Sequence, residues 1–355
     1  MRSCLSIGLI CLILGVFAQN QRWVSGRYMP GFLLAHRADI KNLSAHNYGL
    51  QMDYEIDQAN TAWGSHYCKP IIGFSVLYYN LGKEITGHAI GGLASVKLAL
   101  ASGSKSDLYF TMAGGLGYLT KTFDLVENKR NQAIGSHLNG SMQFGVLAHS
   151  PIGSGINYLE YGLSISHYSN AAYKVPNLGY NIPSISIRYG FGLPNMEEQS
   201  TKTLTQNQKS LNWTATLFYG RKQVNLASPI DFTNYGLQLR GIWNRSAVSA
   251  WRLGVDYTLD KTYAYSQDNQ IDLAKIGIAE QSEVAIAAGY QWRFSQVDVL
   301  AELGAYIYQP STLKSVINQR VGVVYHTTES IGLQGTLRFH EGVADFFEIG
   351  VGYTL

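Results

Sequence analysis

Apolar and polar residues alternate with a period of two in segment after segment of this chain, the mark of β-strands with two unlike faces. The final segment is the cleanest: Phe347, Ile349, Val351, Tyr353 and Leu355 fall on one face, and Glu348, Gly350, Gly352 and Thr354 on the other. The pattern returns about every twenty residues and predicts eight strands in the first half, over 27–37, 46–57, 69–81, 88–101, 107–119, 137–149, 157–169 and 182–193. Eight more follow, over 210–221, 233–244, 248–260, 281–293, 296–309, 317–326, 329–340 and 343–355. Between the halves, 194–209 is polar, with Glu197, Glu198, Gln199, Ser200 and Thr201, and reads as a linker.

So many apolar strand faces need a cover. No helical period is available to supply one, and no apolar run is long enough for a transmembrane helix. Lipid is the expected cover, and a final strand ending on apolar Leu355 resembles the C-terminal assembly signal of outer-membrane proteins. Composition agrees: charged residues make up only 14%, where a soluble domain carries about a quarter, while Gly numbers 37 and Tyr 24. The competing reading is a soluble Gly/Tyr-rich β-sandwich. A net charge of +3 is too small to suggest nucleic acid as a partner.

Met1 to Ala18 carries Arg2, an apolar run from Ile7 to Phe17 and a small residue at its end, so 1–18 reads as a secretory signal rather than a signal anchor. Cys4 and Cys11 leave with it, and Cys68 alone can support neither a disulfide framework nor a cysteine metal site. His36, His46, His66, His88, His137, His149 and His326 lack ligand spacing, and Gly103, Gly114, Gly115 and Gly117 precede no helix that could hold a phosphate. No metal or organic cofactor is expected.

The halves read as a diverged repeat. Asn47-Tyr48-Gly49-Leu50-Gln51 recurs as Asn234-Tyr235-Gly236-Leu237-Gln238, each opening the second strand of its half. Ile165-Ser166-His167 before a loop and a last strand parallels Arg338-Phe339-His340, but Glu341-Gly342 follows His340, so that half has no Ser two residues on. The expected domains are 19–193 and 210–355, the second a degenerate repeat, joined by 194–209. The architecture is an all-β transmembrane antiparallel barrel of about sixteen strands, with two tandem eight-stranded barrels as the alternative.

Chemistry concentrates near 157–193. On strand 157–169 the odd residues Leu159, Tyr161, Leu163 and Ile165 are apolar and should face lipid, which places His167 and Ser169 on the membrane side. Two readings stand: an ordinary interfacial His and Ser at a strand end, or a base beside a nucleophile. The odd face of the next strand, Pro183, Ile185, Ile187, Tyr189 and Phe191, extends back to Asn181, an amide able to orient the ring. Glu160 and Arg188, on even faces of adjacent strands, should pair in the lumen.

His167-Tyr168-Ser169-Asn170-Ala171, followed by Asn177-Leu178-Gly179, resembles the active-site segment of the lipid A 3-O-deacylase (PagL-like) family, also described as acyloxyacyl hydrolases. Gly117-Tyr118-Leu119-Thr120 and Ile134-Gly135-Ser136-His137-Leu138-Asn139 resemble its larger Bacteroidetes-type members, and the resemblance covers about 27–193. It implies an outer-membrane serine esterase of a Gram-negative bacterium acting on an ester-linked acyl chain of lipid A or lipopolysaccharide. Ser169 is then the nucleophile, His167 the base, and Asn177 the oxyanion donor, aided by Asn170 and the backbone N–H near Ala172. The family's third triad member is a Glu, and this sequence has Asn181 there, which can orient an imidazole but cannot offset its charge. The alternative is a catalytically inactive structural barrel or passive pore. Loops near 120–136 and 261–279 are long enough to gate or bind.

Overall fold

The computed structural model describes residues 20–153, 156–194, 211–224, 226, 230–265, 272, 275–310 and 315–355. The expected signal segment 1–18 lies outside them, as does the linker 194–209 apart from Pro194. Sixteen strands form: β1 (Arg22–Phe32), β2 (His46–Asp57), β3 (Ile71–Asn80), β4 (His88–Ser102), β5 (Asp107–Leu119), β6 (Leu138–Ile152), β7 (Asn157–Ser169) and β8 (Tyr180–Leu193), then β9 (Leu211–Gln223), β10 (Asp231–Ser246), β11 (Ser249–Asp260), β12 (Ser282–Phe294), β13 (Val297–Tyr308), β14 (Ile317–His326), β15 (Ile331–His340) and β16 (Val343–Thr354).

They close as two eight-stranded barrels, β1–β8 and β9–β16, so the single sixteen-stranded barrel gives way to the tandem alternative. The seams are antiparallel ladders, from Arg22↔Leu193 to Gly31↔Ser184 in the first barrel and from Phe347↔Arg221 to Thr354↔Thr214 in the second. Alternation along one strand reports which way its side chains point and carries nothing about which distant strand closes the ring. An eight-stranded interior is narrow enough for side chains to fill, and in the first barrel they meet across it. Lys97 of β4 binds Glu55 of β2 at 3.2 Å and Glu160 of β7, while Arg188 of β8 binds Glu160 at 3.2 Å, Asp53 at 3.4 Å and Glu55. The expected Glu160–Arg188 pair is therefore one link of a larger network.

The second barrel repeats the arrangement with its own residues. Arg240 grips Glu302 through two bonds of 3.0 and 2.9 Å, Arg320 grips Glu348 likewise at 2.7 and 3.0 Å, and Arg320 also reaches Asp256 at 2.8 Å. Asn47 and Gln51 of β2 face the first lumen as Asn234 and Gln238 of β10 face the second, so the repeated motif has the same orientation in each barrel. His340 does not match His167. Its ring stacks on Tyr306, accepts or donates a 3.0 Å bond there and lies near Asp345, turned inward where His167 is turned outward. The outline match between the two strand ends therefore breaks at the ring.

The outer faces carry an apolar band. Leu163 is 68% exposed, Leu217 67% and Ile349 62%, and such residues recur on the described strands. Apolar side chains exposed on strand after strand in this way form the kind of face that a bilayer covers. Trp243 and Trp251 are direct cross-strand partners at one end of the second barrel, beside Trp213, where interfacial aromatics sit. No helix among the described residues is long and apolar enough to span a membrane.

Two strand ends differ from expectation and matter for function. The first strand occupies Arg22–Phe32 rather than 27–37. Its opening half offers Ser25 and Gly26 in place of an apolar pattern, whereas Leu33 is fully buried after the strand has ended, its N–H bonded to Ala45 O at 2.8 Å. An apolar loop anchor looked like strand, and His36 lies in the β1–β2 loop. The β8 strand begins at Tyr180, two residues before the expected 182, so Asn181 belongs to the ladder itself.

Candidate active site

The β7 strand keeps its alternation to the end: Tyr158, Glu160, Ser164, Ser166 and Tyr168 are buried in the lumen, while Tyr161, Leu163 and Ile165 are exposed. His167 and Ser169 continue the outward face, half-buried and two residues apart. Tyr168, between them, points inward and is fully buried. Gly117 makes room for it, since a Cβ there would lie 2.6 Å from the Tyr168 ring.

His167 pairs directly with Asn181 across the β7–β8 ladder. Its Nδ1 lies 2.8 Å from Asn181 Oδ1, and Asn181 Nδ2 lies 3.1 Å from His36 Nδ1. An amide oxygen accepts and an amide nitrogen donates, so this order puts the proton of His167 on Nδ1 and leaves Nε2 with a lone pair. That is the tautomer a general base requires.

Ser169 meets a different group. Its hydroxyl donates to Asn177 Oδ1 at 3.1 Å, and the Asn170 N–H donates to the same oxygen at 2.9 Å. The backbone donor fixes the Asn177 amide with Oδ1 toward Asn170 and Nδ2 turned away. The chain then makes two consecutive left-handed residues, Ala171 (φ 54) and Ala172 (φ 61), with Ala171 N–H 3.3 Å from Ser169 Oγ. Non-glycine residues in this region are strained and persist where their surroundings hold them.

Asn170 supplies much of that hold. Its Nδ2 donates to Ser136 Oγ at 2.8 Å and to Lys174 O at 2.7 Å, and Ser136 in turn donates to Asn139 Oδ1 at 2.9 Å. Both amide hydrogens of Asn170 are committed to the loop. The residue expected to aid the oxyanion instead shapes the turn that carries Asn177. Gly135 permits the close approach, because a Cβ there would sit 2.4 Å from Val175 O. The Ile134–Asn139 motif thus acquires a role that its spacing alone did not reveal: a brace for the Asn170 turn.

The loops Thr122–Asn139 and Ser169–Gly179 belong by proximity to the compact unit that includes β9–β16. Within that unit, Gln223 at the end of β9 clamps the turn on both sides: its N–H donates to Ala172 O at 2.9 Å, and its Oε1 accepts from Val175 N–H at 3.1 Å. Gln223 Nε2 is itself held by Asp231 Oδ1 at 3.0 Å. Loop 122–139 is ordered from within. Asp124 accepts from the N–H groups of Glu127 and Val126 at 2.9 and 2.8 Å, which hold its carboxyl below the usual carboxylate range.

Sequence reasoning missed His36, Ser136 and Gln223. Ser136 stood in a motif already singled out. His36 and Gln223 are joined to the site only by loop folding, and no spacing could have signalled them.

Closed antiparallel barrels with an apolar exterior, a charge-filled interior and a polar His–Asn pair on the membrane side define an outer-membrane protein with a lipid-facing rim. Residues 46–190 match the family described as lipid A 3-O-deacylase (PagL), and residues 211–355 match the acyloxyacyl hydrolase C-terminal domain. The chain belongs to this PagL-type acyloxyacyl hydrolase family. No curated protein matches it in sequence. Among solved structures it is similar to the outer membrane enzyme PagL, at 16% identity over 47% of this chain and 98% of that one, with a TM-score of 0.34. A mutant of the Rh. blastica porin is similar at 8% identity over 95% of this chain and 100% of that one, with a TM-score of 0.18.

Proposed function

We propose that this protein is an outer-membrane esterase that hydrolyses an ester-linked acyl chain of lipid A or a related glycolipid, with Ser169 as nucleophile and His167 as base. The observation that carries the reading is the 2.8 Å contact between His167 Nδ1 and Asn181 Oδ1 on the membrane side of β7, two residues from Ser169. It supports an imidazole with Nε2 free to accept a proton on the outward face of β7.

The chemistry runs in two halves. Ser169 Oγ–H turns from Asn177 toward His167 Nε2, gives up its proton there and attacks the ester carbonyl. The tetrahedral oxyanion takes hydrogen bonds from Asn177 Nδ2 and from a backbone N–H of the Ala171–Ala172 turn. Collapse breaks the bond to the sugar oxygen, which leaves with the proton from His167, and the acyl group stays on Ser169. Water then attacks that ester, His167 takes its proton and returns it to Ser169 Oγ, and a fatty acid departs. Asn181 orients the ring throughout. Being neutral, it offers the imidazolium a hydrogen bond without an opposing charge, and the rate is lower than a carboxylate would give.

An inactive structural barrel is the second reading, and Asn181 in the acid position is what favours it. A passive pore is disfavoured by the salt-bridged side chains that fill each described lumen. The test is fatty-acid release from lipopolysaccharide by purified protein in detergent micelles, against Ser169→Ala. The expected result is release by the parent protein and none by the variant; equal release by both removes Ser169 from the mechanism.

A further inference from the structure

We propose that His36 is a positioning residue of this site, which holds the Asn181 amide in the one orientation that leaves His167 able to act as a base. The inference rests on the esterase reading for its kinetic arm only.

A carboxylate presents an acceptor from either oxygen, so it orients an imidazole whichever way it is turned. A carboxamide does not. With Oδ1 toward His167, the ring is Nδ1–H and its Nε2 is open to a proton. With Nδ2 toward His167, the amide donates to Nδ1, the ring proton moves to Nε2, and no lone pair faces the nucleophile. Replacing an acid with Asn181 therefore creates a problem of direction that a carboxylate lacks. Something beyond the amide has to choose the flip.

His36 is placed to choose it. Its Nδ1 lies 3.1 Å from Asn181 Nδ2, on the side of the amide opposite His167. As its Nε2–H tautomer, His36 presents a bare Nδ1 that accepts from Nδ2 and rewards the productive orientation by about five- to tenfold in population for one net hydrogen bond. The Nδ1–H tautomer would instead donate to Oδ1 of the flipped amide, so the Nε2–H tautomer of His36 is part of what is proposed. The ring is brought to this point by a built loop. Leu34 N–H donates to Asn181 O at 2.9 Å, Leu33 N–H donates to Ala45 O at 2.8 Å, and Ile40 and Leu43 of the following short helix, Ala38–Leu43, are fully buried. The β1–β2 loop is thus pinned to the same residue whose side chain it orients.

Four variants and two readouts test this. His36→Ala is expected to lower kcat about five- to tenfold with little change in KM, whereas His36→Gln, which keeps an acceptor, retains at least half of it. In an Asn181→Glu background His36→Ala should change kcat by less than twofold, because either carboxylate oxygen serves. The second readout needs no activity: nitrogen NMR of histidine-labelled protein should report His167 as the Nδ1–H tautomer in the parent and a shift toward Nε2–H in His36→Ala. An unchanged tautomer in His36→Ala overturns the proposal, and so does an equal kinetic loss in the parent and Asn181→Glu backgrounds. A silent deacylase assay with the expected tautomer shift would overturn the esterase reading and leave the role of His36 standing.

Discussion

His167 and Asn181 stand opposite each other in the β7–β8 ladder, ring nitrogen to amide oxygen at 2.8 Å. Cross-strand partners on one face of an antiparallel pair have Cβ atoms only about 5 Å apart. Strand register therefore brings the amide within reach of the ring, and the β1–β2 loop, through His36, bears on which end of the amide meets it.

Asn181→Glu is expected to raise the rate of ester hydrolysis, by about tenfold or more, since a carboxylate in this register keeps the Nδ1–H contact and adds charge stabilisation of the imidazolium. Asn181→Leu should lower it. Steady-state kinetics on one defined glycolipid checks both, and a faster Leu variant would remove Asn181 from the site.

Asn177→Asp separates the two ends of that amide. The carboxylate still accepts from the Asn170 N–H and the Ser169 hydroxyl, yet it brings no donor and sets a negative charge beside the developing oxyanion. Loss of one oxyanion donor costs about 10²–10³ in kcat, and Asn177→Asp should fall at least as far as Asn177→Ala. If the Asp variant keeps parent activity, the oxyanion is held elsewhere.

Gln223→Ala releases Val175 N–H from its side-chain acceptor while leaving the backbone bond to Ala172 O in place. The expected effect is a fall in kcat of about three- to tenfold through a looser turn, with the melting temperature of the barrels unchanged. Matching kinetics in parent and variant would show that the turn holds without the clamp.

Lys97→Met leaves Glu55 and Glu160 buried beside Arg188 with one cation fewer. Stranding a buried charge costs about 3–5 kcal/mol. The folded-to-unfolded gel shift on heating in detergent should move to a lower temperature. An unaltered shift would mean that water reaches this lumen and screens it.

How far the chain could be read before folding varied with the kind of signal. The β7 strand was legible to the residue, Asn157–Ser169, because its alternation runs unbroken from Leu159 to Ile165. The same parity placed His167 outward and Glu160 inward, and both placements hold. The first strand was misread because fully buried Leu33 imitates a strand residue while serving as a loop anchor. Barrel number was invisible, since Arg22↔Leu193 and Phe347↔Arg221 are pairings over long sequence distance with no local trace. The resemblance implied an oxyanion role for Asn170, and only the positions of Ser136 and Lys174 O reveal where its amide goes.

The outward aim of β7 has a kinetic meaning. A rim that faces acyl chains meets its ester by lateral diffusion in two dimensions, so the controlling variable is the mole fraction of glycolipid in the leaflet or micelle, not its bulk molarity. Diluting the substrate with inert detergent at fixed total glycolipid should slow such an enzyme, as if the substrate itself had been withdrawn.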